Sequence, residues 1–226
     1  MKMRTTTIAT SIAILGLSSI AQAELSGNIG VTSNYLWRGV TQTADKAAVQ
    51  GGIDYANTEG FYIGTWASNV ASGEEVDLYA GFSNSTDNVG YDIGVVQYLY
   101  PSAENDDFVE LYAAVDYAGL SAGMHYTVSS DKKNMAGENN TFIKGDRYYF
   151  VATGMPLNAD WSVEGTIGYY DFKNDGVAGK DTSYKHLQVG VSKETEAGAM
   201  TFALSKADKE SGDKDPIVTI SWTQYF

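Results

Sequence analysis

Blocks of about ten residues in which apolar side chains alternate with polar or small ones run through nearly the whole chain, and this period of two constrains the fold more than any other feature. Val76, Leu78, Ala80 and Phe82 alternate with Asp77, Tyr79, Gly81 and Ser83. Val109, Leu111, Ala113, Val115 and Tyr117 alternate with Glu110, Tyr112, Ala114 and Asp116. Trp161, Val163, Gly165, Ile167 and Tyr169 alternate with Ser162, Glu164, Thr166 and Gly168. Successive side chains of a strand point to opposite faces, so each block is a strand with one apolar and one polar face. Twelve such blocks are found, at 25–36, 47–56, 60–70, 75–84, 89–100, 107–117, 120–129, 146–155, 161–172, 183–193, 199–206 and 216–226.

The blocks are long for a soluble β-sandwich, whose strands average about 5–6 residues. They suit a tilted strand that crosses a bilayer, for which about 9–11 residues are needed. Their connections sort by length. Residues 57–59, 85–88, 118–119, 156–160 and 194–198 make short turns, and these alternate with longer polar segments at 37–46, 101–106, 130–145, 173–182 and 207–215. Only 71–74 breaks the rule. A membrane barrel keeps short turns at its periplasmic end and long loops outside. The expectation is therefore all-β: one antiparallel up-and-down transmembrane β-barrel of about twelve strands, with both termini periplasmic.

The N-terminus agrees. Lys2 and Arg4 precede an apolar stretch from Ile8 to Ile20 and then Ala21-Gln22-Ala23, the order of a cleavable signal peptide. The expected division is a leader of 1–23, cut before Glu24, and a barrel domain of 24–226. The stretch is too short to span a bilayer as a helix, which takes about 20 residues. Loss of the leader removes two positive charges and no negative ones, moving the net charge from −13 to −15. So acidic a chain is a poor nucleic-acid binder, because phosphate contacts need clustered Lys and Arg. Cysteine is absent, which excludes disulfides and thiolate sites. The last block ends in Val218, Ile220, Trp222 and Phe226 on one face. Trp222 and Phe226 there look like the terminal signal that outer-membrane barrels present to the assembly machinery, although Gln224 interrupts the face. The partners expected are thus outer-membrane lipid, the barrel-assembly machinery and a small solute.

Asn34-Tyr35-Leu36-Trp37-Arg38-Gly39, Gly60-Phe61-Tyr62-Ile63-Gly64-Thr65-Trp66-Ala67-Ser68-Asn69 and the run from Tyr91 to Pro101 are more specific. In order and wording they resemble the TorF-type porins of proteobacteria, closely from about residue 28 to 117 and only in architecture beyond. The resemblance implies an outer-membrane pore; it brings no substrate and no catalytic residues.

Parity assigns the candidate lumen. Asp54, Asp77, Asp92, Glu110, Asp116 and Glu164 fall on polar faces, and Arg38 lies near the outer mouth. Buried in lipid, a charge costs about 2–4 kcal/mol at the midplane for Lys or Arg and less for an acid, so the inward placement is preferred. An acid-rich lining passes cations or neutral polar solutes more readily than anions. The bland alternative is that these acids pair with Arg38, Lys144 or Arg147 and merely fill a structural or adhesive barrel. Trp37, Trp66, Trp161 and Trp222 are candidates for an interfacial girdle or for solute contact. Catalysis is not expected. An outer-membrane hydrolase needs an activating histidine, and the two available, His125 and His186, fall on inward faces; no G-x-S-x-G occurs. No metal or other cofactor is expected either: the run from Asp171 to Thr182 places Lys173 and Thr182 where a calcium loop needs oxygen ligands.

Overall fold

The computed structural model describes residues 23–86, 88–133 and 137–226. The expected leader therefore lies, but for Ala23, outside the described residues, as does part of the segment 130–145. The described residues form fourteen strands: β1 (Glu24–Thr32), β2 (Leu36–Trp37), β3 (Val40–Thr41), β4 (Ala48–Ala56), β5 (Phe61–Val70), β6 (Gly73–Thr86), β7 (Val89–Leu99), β8 (Phe108–Tyr117), β9 (Leu120–Ser130), β10 (Arg147–Pro156), β11 (Trp161–Asp171), β12 (Tyr184–Thr195), β13 (Gly198–Ala207) and β14 (Ile217–Tyr225). Twelve of them, β1 and β4 to β14, close into one antiparallel barrel. The barrel has no free edge, because Asn28 to Thr32 of β1 pair with Tyr225 to Ser221 of β14.

Between the charged rims the outward face is dominated by apolar side chains. Ile53, Ile63, Ile93, Val115, Ile167 and Val218 each expose half or more of their surface, and the same parity holds on every wall strand. Water would penalise so continuous an apolar band, and no helix among the described residues is long and apolar enough to cross a membrane. A hydrocarbon layer around the barrel satisfies the band.

The inward face holds the core. Aromatic rings from one strand lie over glycines of the next: a Cβ at Gly123 would stand 2.6 Å from the Phe150 ring, and one at Gly94 would collide with Tyr112. The missing side chain on one strand is what lets the large ring of its neighbour lie flat inside a narrow barrel. Between β8 and β9 the register slips at Val109/Glu110, a bulge that locally bends the wall.

The path of residues 33–47 corrects one expectation. The alternation predicts a single strand over 25–36, yet β1 stops at Thr32. The loop that follows leaves from the long-loop end, where Arg38 is expected at the outer mouth, and folds into the lumen. Asn34, Tyr35, Leu36, Trp37 and Arg38 are all under a tenth exposed. The cause is composition: Tyr35 and Trp37 can each remove about 150–250 Å² from water, and the mouth of the barrel offers aromatic walls to receive them. The short hairpin β2–β3 turns on Arg38 (φ 50°) and Gly39 (φ 86°), the two left-handed positions of a two-residue hairpin turn. Arg38 is thereby presented at the tip.

Candidate functional site

The tip of that hairpin crosses the lumen. It departs from the β1/β4 side and reaches the opposite wall, where the Arg38 guanidinium meets the Glu110 carboxylate of β8 through two parallel hydrogen bonds of 2.9 and 2.5 Å. The fork geometry makes this a charge-assisted bidentate pair. Its guanidinium carbon lies 4.2 Å from the centroid of Trp37 and 4.3 Å from that of Tyr148, so the cation is sandwiched between aromatic faces. The remaining oxygen capacity of Glu110 is met by Tyr98 and Tyr170, whose hydroxyls donate at 3.3 Å, and His125 Nδ1 stands at 3.1 Å. Tyr184 donates to the carbonyl of Arg38 at 3.1 Å. The tip is therefore held by β7, β8, β9, β10, β11 and β12 together.

The base of the loop is tied as well. Tyr35 donates to Glu75 at 3.1 Å, the backbone N–H of Thr41 donates to Asp213 at 2.7 Å, and Ala71 N–H donates to the Gln42 carbonyl at 2.8 Å. Phe142 packs edge-on and tilted against Trp37, Tyr170 and Phe172 from the segment before β10. A buried aromatic plug results, at the end of the barrel that carries the long loops.

All six acids singled out by parity point inward, and strand register sorts them into two tiers. Glu110 and Asp77 lie near the long-loop ends of β8 and β6; Glu75, which sequence reasoning passed over, joins them at 1% exposure. Asp54, Asp92, Asp116 and Glu164 lie near the short-turn ends of their strands. In the lower tier tyrosine hydroxyls serve as hydrogen-bond donors: Tyr79 donates to Asp54 at 2.5 Å, Tyr62 donates to Asp92 at 2.6 Å, and the hydroxyls of Tyr62 and Tyr112 meet.

The separation of charge by face is complete for cations. The Lys and Arg residues inside wall strands are Arg147, Lys185, Lys193 and Lys206, and each shares the outward face of its strand with lipid-facing residues such as Tyr149, Leu187 and Phe202. Arg38 reaches the interior only because a loop carries it there. Of the acids within the described strands, Glu74 and Asp171 alone are outward, both at long-loop ends.

The four tryptophans divide. Trp161 and Trp222 face outward near the short-turn end; Lys193 Nζ lies 5.4 Å over the Trp161 ring, and Trp222 Nε1 donates to Ala197 at 2.9 Å. Trp37 and Trp66 face inward, where they cannot serve a girdle; Trp66 packs edge-on to Tyr35 with ring centroids 5.3 Å apart. His125 and His186 are both inward and buried, and His186 Nε2 is 2.8 Å from the Tyr148 hydroxyl. Among the described residues no group of three or more His, Cys, Asp or Glu converges on a metal position.

A family model described as a bacterial protein of unknown function, Gcw_chp, matches residues 18–219. A comparison with curated protein sequences gives no match. Among solved structures, the KdgM porin aligns with TM-score 0.60 at 8% identity over 89% of this chain and 98% of that one. A structure of the KdgM porin in complex with disordered oligogalacturonate aligns with TM-score 0.58 at 7% identity over 89% and 97%. The NanC porin aligns with TM-score 0.54 at 11% identity over 89% and 98%. At such identities the likeness is one of fold.

Proposed function

Given that the chain belongs to the Gcw_chp family and folds as a porin-like barrel, we propose that it is a passive outer-membrane porin for small cationic or neutral polar solutes, narrowed at its outer end by the Arg38 loop. The observation that carries this reading is the sorting of charge by face: strand acids inward, strand cations outward. Six carboxylates toward the short-turn end of the lumen, Glu24, Asp54, Asp92, Asp116, Glu164 and Glu194, raise the local concentration of cations and repel anions. The separation of loops by length supports the orientation, with long loops at the cell surface and both termini periplasmic. Within this reading, the wording of residues 28–117 supports the finer assignment to the TorF-type porins.

Oligogalacturonate, present with KdgM in one of the similar structures, is a polyanion. An acid-lined lumen disfavours such a solute, so that specificity is not carried over. Transport needs no nucleotide or metal in this reading. The Arg38–Glu110 pair favours a second reading, a closed structural barrel that acts through its surface loops, because a buried, doubly bonded guanidinium occupies the lumen where a solute would pass. Planar-bilayer recording of the refolded mature chain under a salt gradient separates the two. Discrete steps with a cation-selective reversal potential are expected; a barrel that inserts correctly and stays silent would overturn the porin reading in favour of the closed one.

A further inference from the structure

A cavity of about 570 Å³ lies not in the lumen but on the long-loop rim, beside the outward ends of β9, β10 and β11. Lys132, Lys144, Arg147 and Lys173 line it, with Tyr126 and a single acid, Asp171. The chain as a whole has 28 acids against 15 Lys and Arg, so four cations around one acid run against its composition. Arg147 is shared with Asp171 at 3.2 Å and Lys132 with Asp106 at 3.2 Å. Neither Lys144 nor Lys173 has a carboxylate within ion-pair distance among the described residues; the Lys173 ammonium leans on the Lys144 carbonyl at 3.5 Å.

The rows of the sheet beneath this cluster are ordered by chemistry. Tyr126, Arg147 and Asp171 are cross-strand neighbours on the outward face, and the next outward row toward the membrane is Met124, Tyr149 and Tyr169. Below these come Ala122, Val151 and Ile167. Lys185 extends the basic rim, its ammonium 6.0 Å over the Tyr169 ring. Cations above an aromatic row above aliphatic side chains match an amphiphile read from headgroup to acyl chain.

We propose that this rim cavity binds a phosphorylated lipid of the outer leaflet, with the headgroup phosphates held by Lys144, Lys173, Arg147 and Lys132 and the acyl chains lying along Tyr149 and Val151. The inference rests on the orientation given under Proposed function, which puts the long loops at the outer leaflet. A free phosphate would use the same cations but would have no need of the aromatic and aliphatic rows, so the lipid is the occupant.

The test uses the refolded mature chain in detergent, with native mass spectrometry of added bisphosphorylated lipid A, the same lipid stripped of phosphate, and inorganic phosphate. Retention of the bisphosphorylated lipid is expected, with loss of phosphate or the change K144Q/K173Q weakening it about tenfold, and with added salt weakening it further. K209Q/K214Q, on a different loop, is expected to leave it unchanged. Equal retention by K144Q/K173Q or of the phosphate-free lipid would overturn the proposal, as would displacement by inorganic phosphate at equal concentration. The same preparation is recorded in planar bilayers: a conducting barrel indifferent to lipid phosphate fails this inference alone, and a silent barrel that retains the lipid fails only the pore reading. Labelling of a Lys180→Cys variant on intact cells with an impermeant maleimide reads the orientation independently, and lack of labelling in an inserted barrel would overturn the outer-leaflet assignment.

Discussion

Arg38 and Glu110 put a full ion pair in the buried interior of the barrel, and the physical consequence is asymmetric. The Arg38 side chain has no exposed surface and that of Glu110 has 1%. Removing one partner strands the other charge, at a cost of about 3–5 kcal/mol, whereas replacing both by apolar groups of similar volume is close to neutral. Arg38→Met and Glu110→Met are therefore each expected to lower the thermal unfolding midpoint of the refolded barrel far more than R38M/E110M does, read as heat-modifiable gel mobility. Additive effects in this double-mutant cycle would mean that the pair does not act as a unit. Parity brought Glu110 to the inward face, and pairing of the inward acids with Arg38 was one of the two readings the sequence left open. Which acid Arg38 meets was not legible, since it and Glu110 are 72 residues apart and meet only through the course of a loop. Glu75 was as legible as Asp77 by parity, but it sits near a strand end, where the alternation is weakest.

Among the elements, the closing seam and the loops behave differently. The wall strands were readable because period two repeats many times in each, and their bounds differ from expectation by only a few residues. The inward hairpin was not, because its burial depends on a lumen that no local pattern describes. At the seam, Phe226 extends the ladder, with Gly27 N–H donating to its carbonyl at 2.8 Å and its own N–H donating to the Gly27 carbonyl at 3.0 Å. A Cβ at Gly27 would stand 2.7 Å from the Phe226 ring. Gly27→Val is expected to push that ring away and slow barrel closure, seen as a larger unfolded fraction on refolding into micelles; unchanged kinetics would free the seam of this role. In the loop after β11, Asp175 accepts the N–H groups of Thr182 at 2.6 Å and Ser183 at 2.9 Å. The Ser183 and then the Thr182 backbone bonds hold its carboxyl below the usual range. A depressed carboxylate stabilises the loop above its ordinary titration, near pH 4, and that stability is lost as pH falls through the lower folded value. The protection of the Thr182 and Ser183 amides, their exchange rate relative to that of an unstructured amide at the same pH, is thus expected to fall in acid, and Asp175→Asn to show the lower protection already at neutral pH.

For the molecule as a whole, the same alternation that builds the wall also sorts its charge. A strand has few inward positions, and an inward lysine beside an inward carboxylate would cancel its field. With cations on the outward parity near strand ends, they reach headgroups while the acids line water. The lower lumen then carries Asp54, Asp92, Asp116, Glu164, Glu24 and Glu194, with tyrosine hydroxyls donating to the first two. Each carboxylate removed weakens the negative field, and the effect is largest at low ionic strength because at about 0.1 M salt the screening length is near 10 Å. D54N/D92N is expected to move the reversal potential toward zero in a salt gradient while leaving the barrel folded, since the amides keep their tyrosine neighbours. D116N/E164Q should act in the same direction, and the four changes together should lower cation preference further, Glu24 and Glu194 being the acids left at that end. An unchanged reversal potential in a conducting variant that also carries E24Q/E194Q would place selectivity at the Arg38 constriction instead, where Glu110 is already neutralised and Asp77 and Glu75 are the acids left to set it.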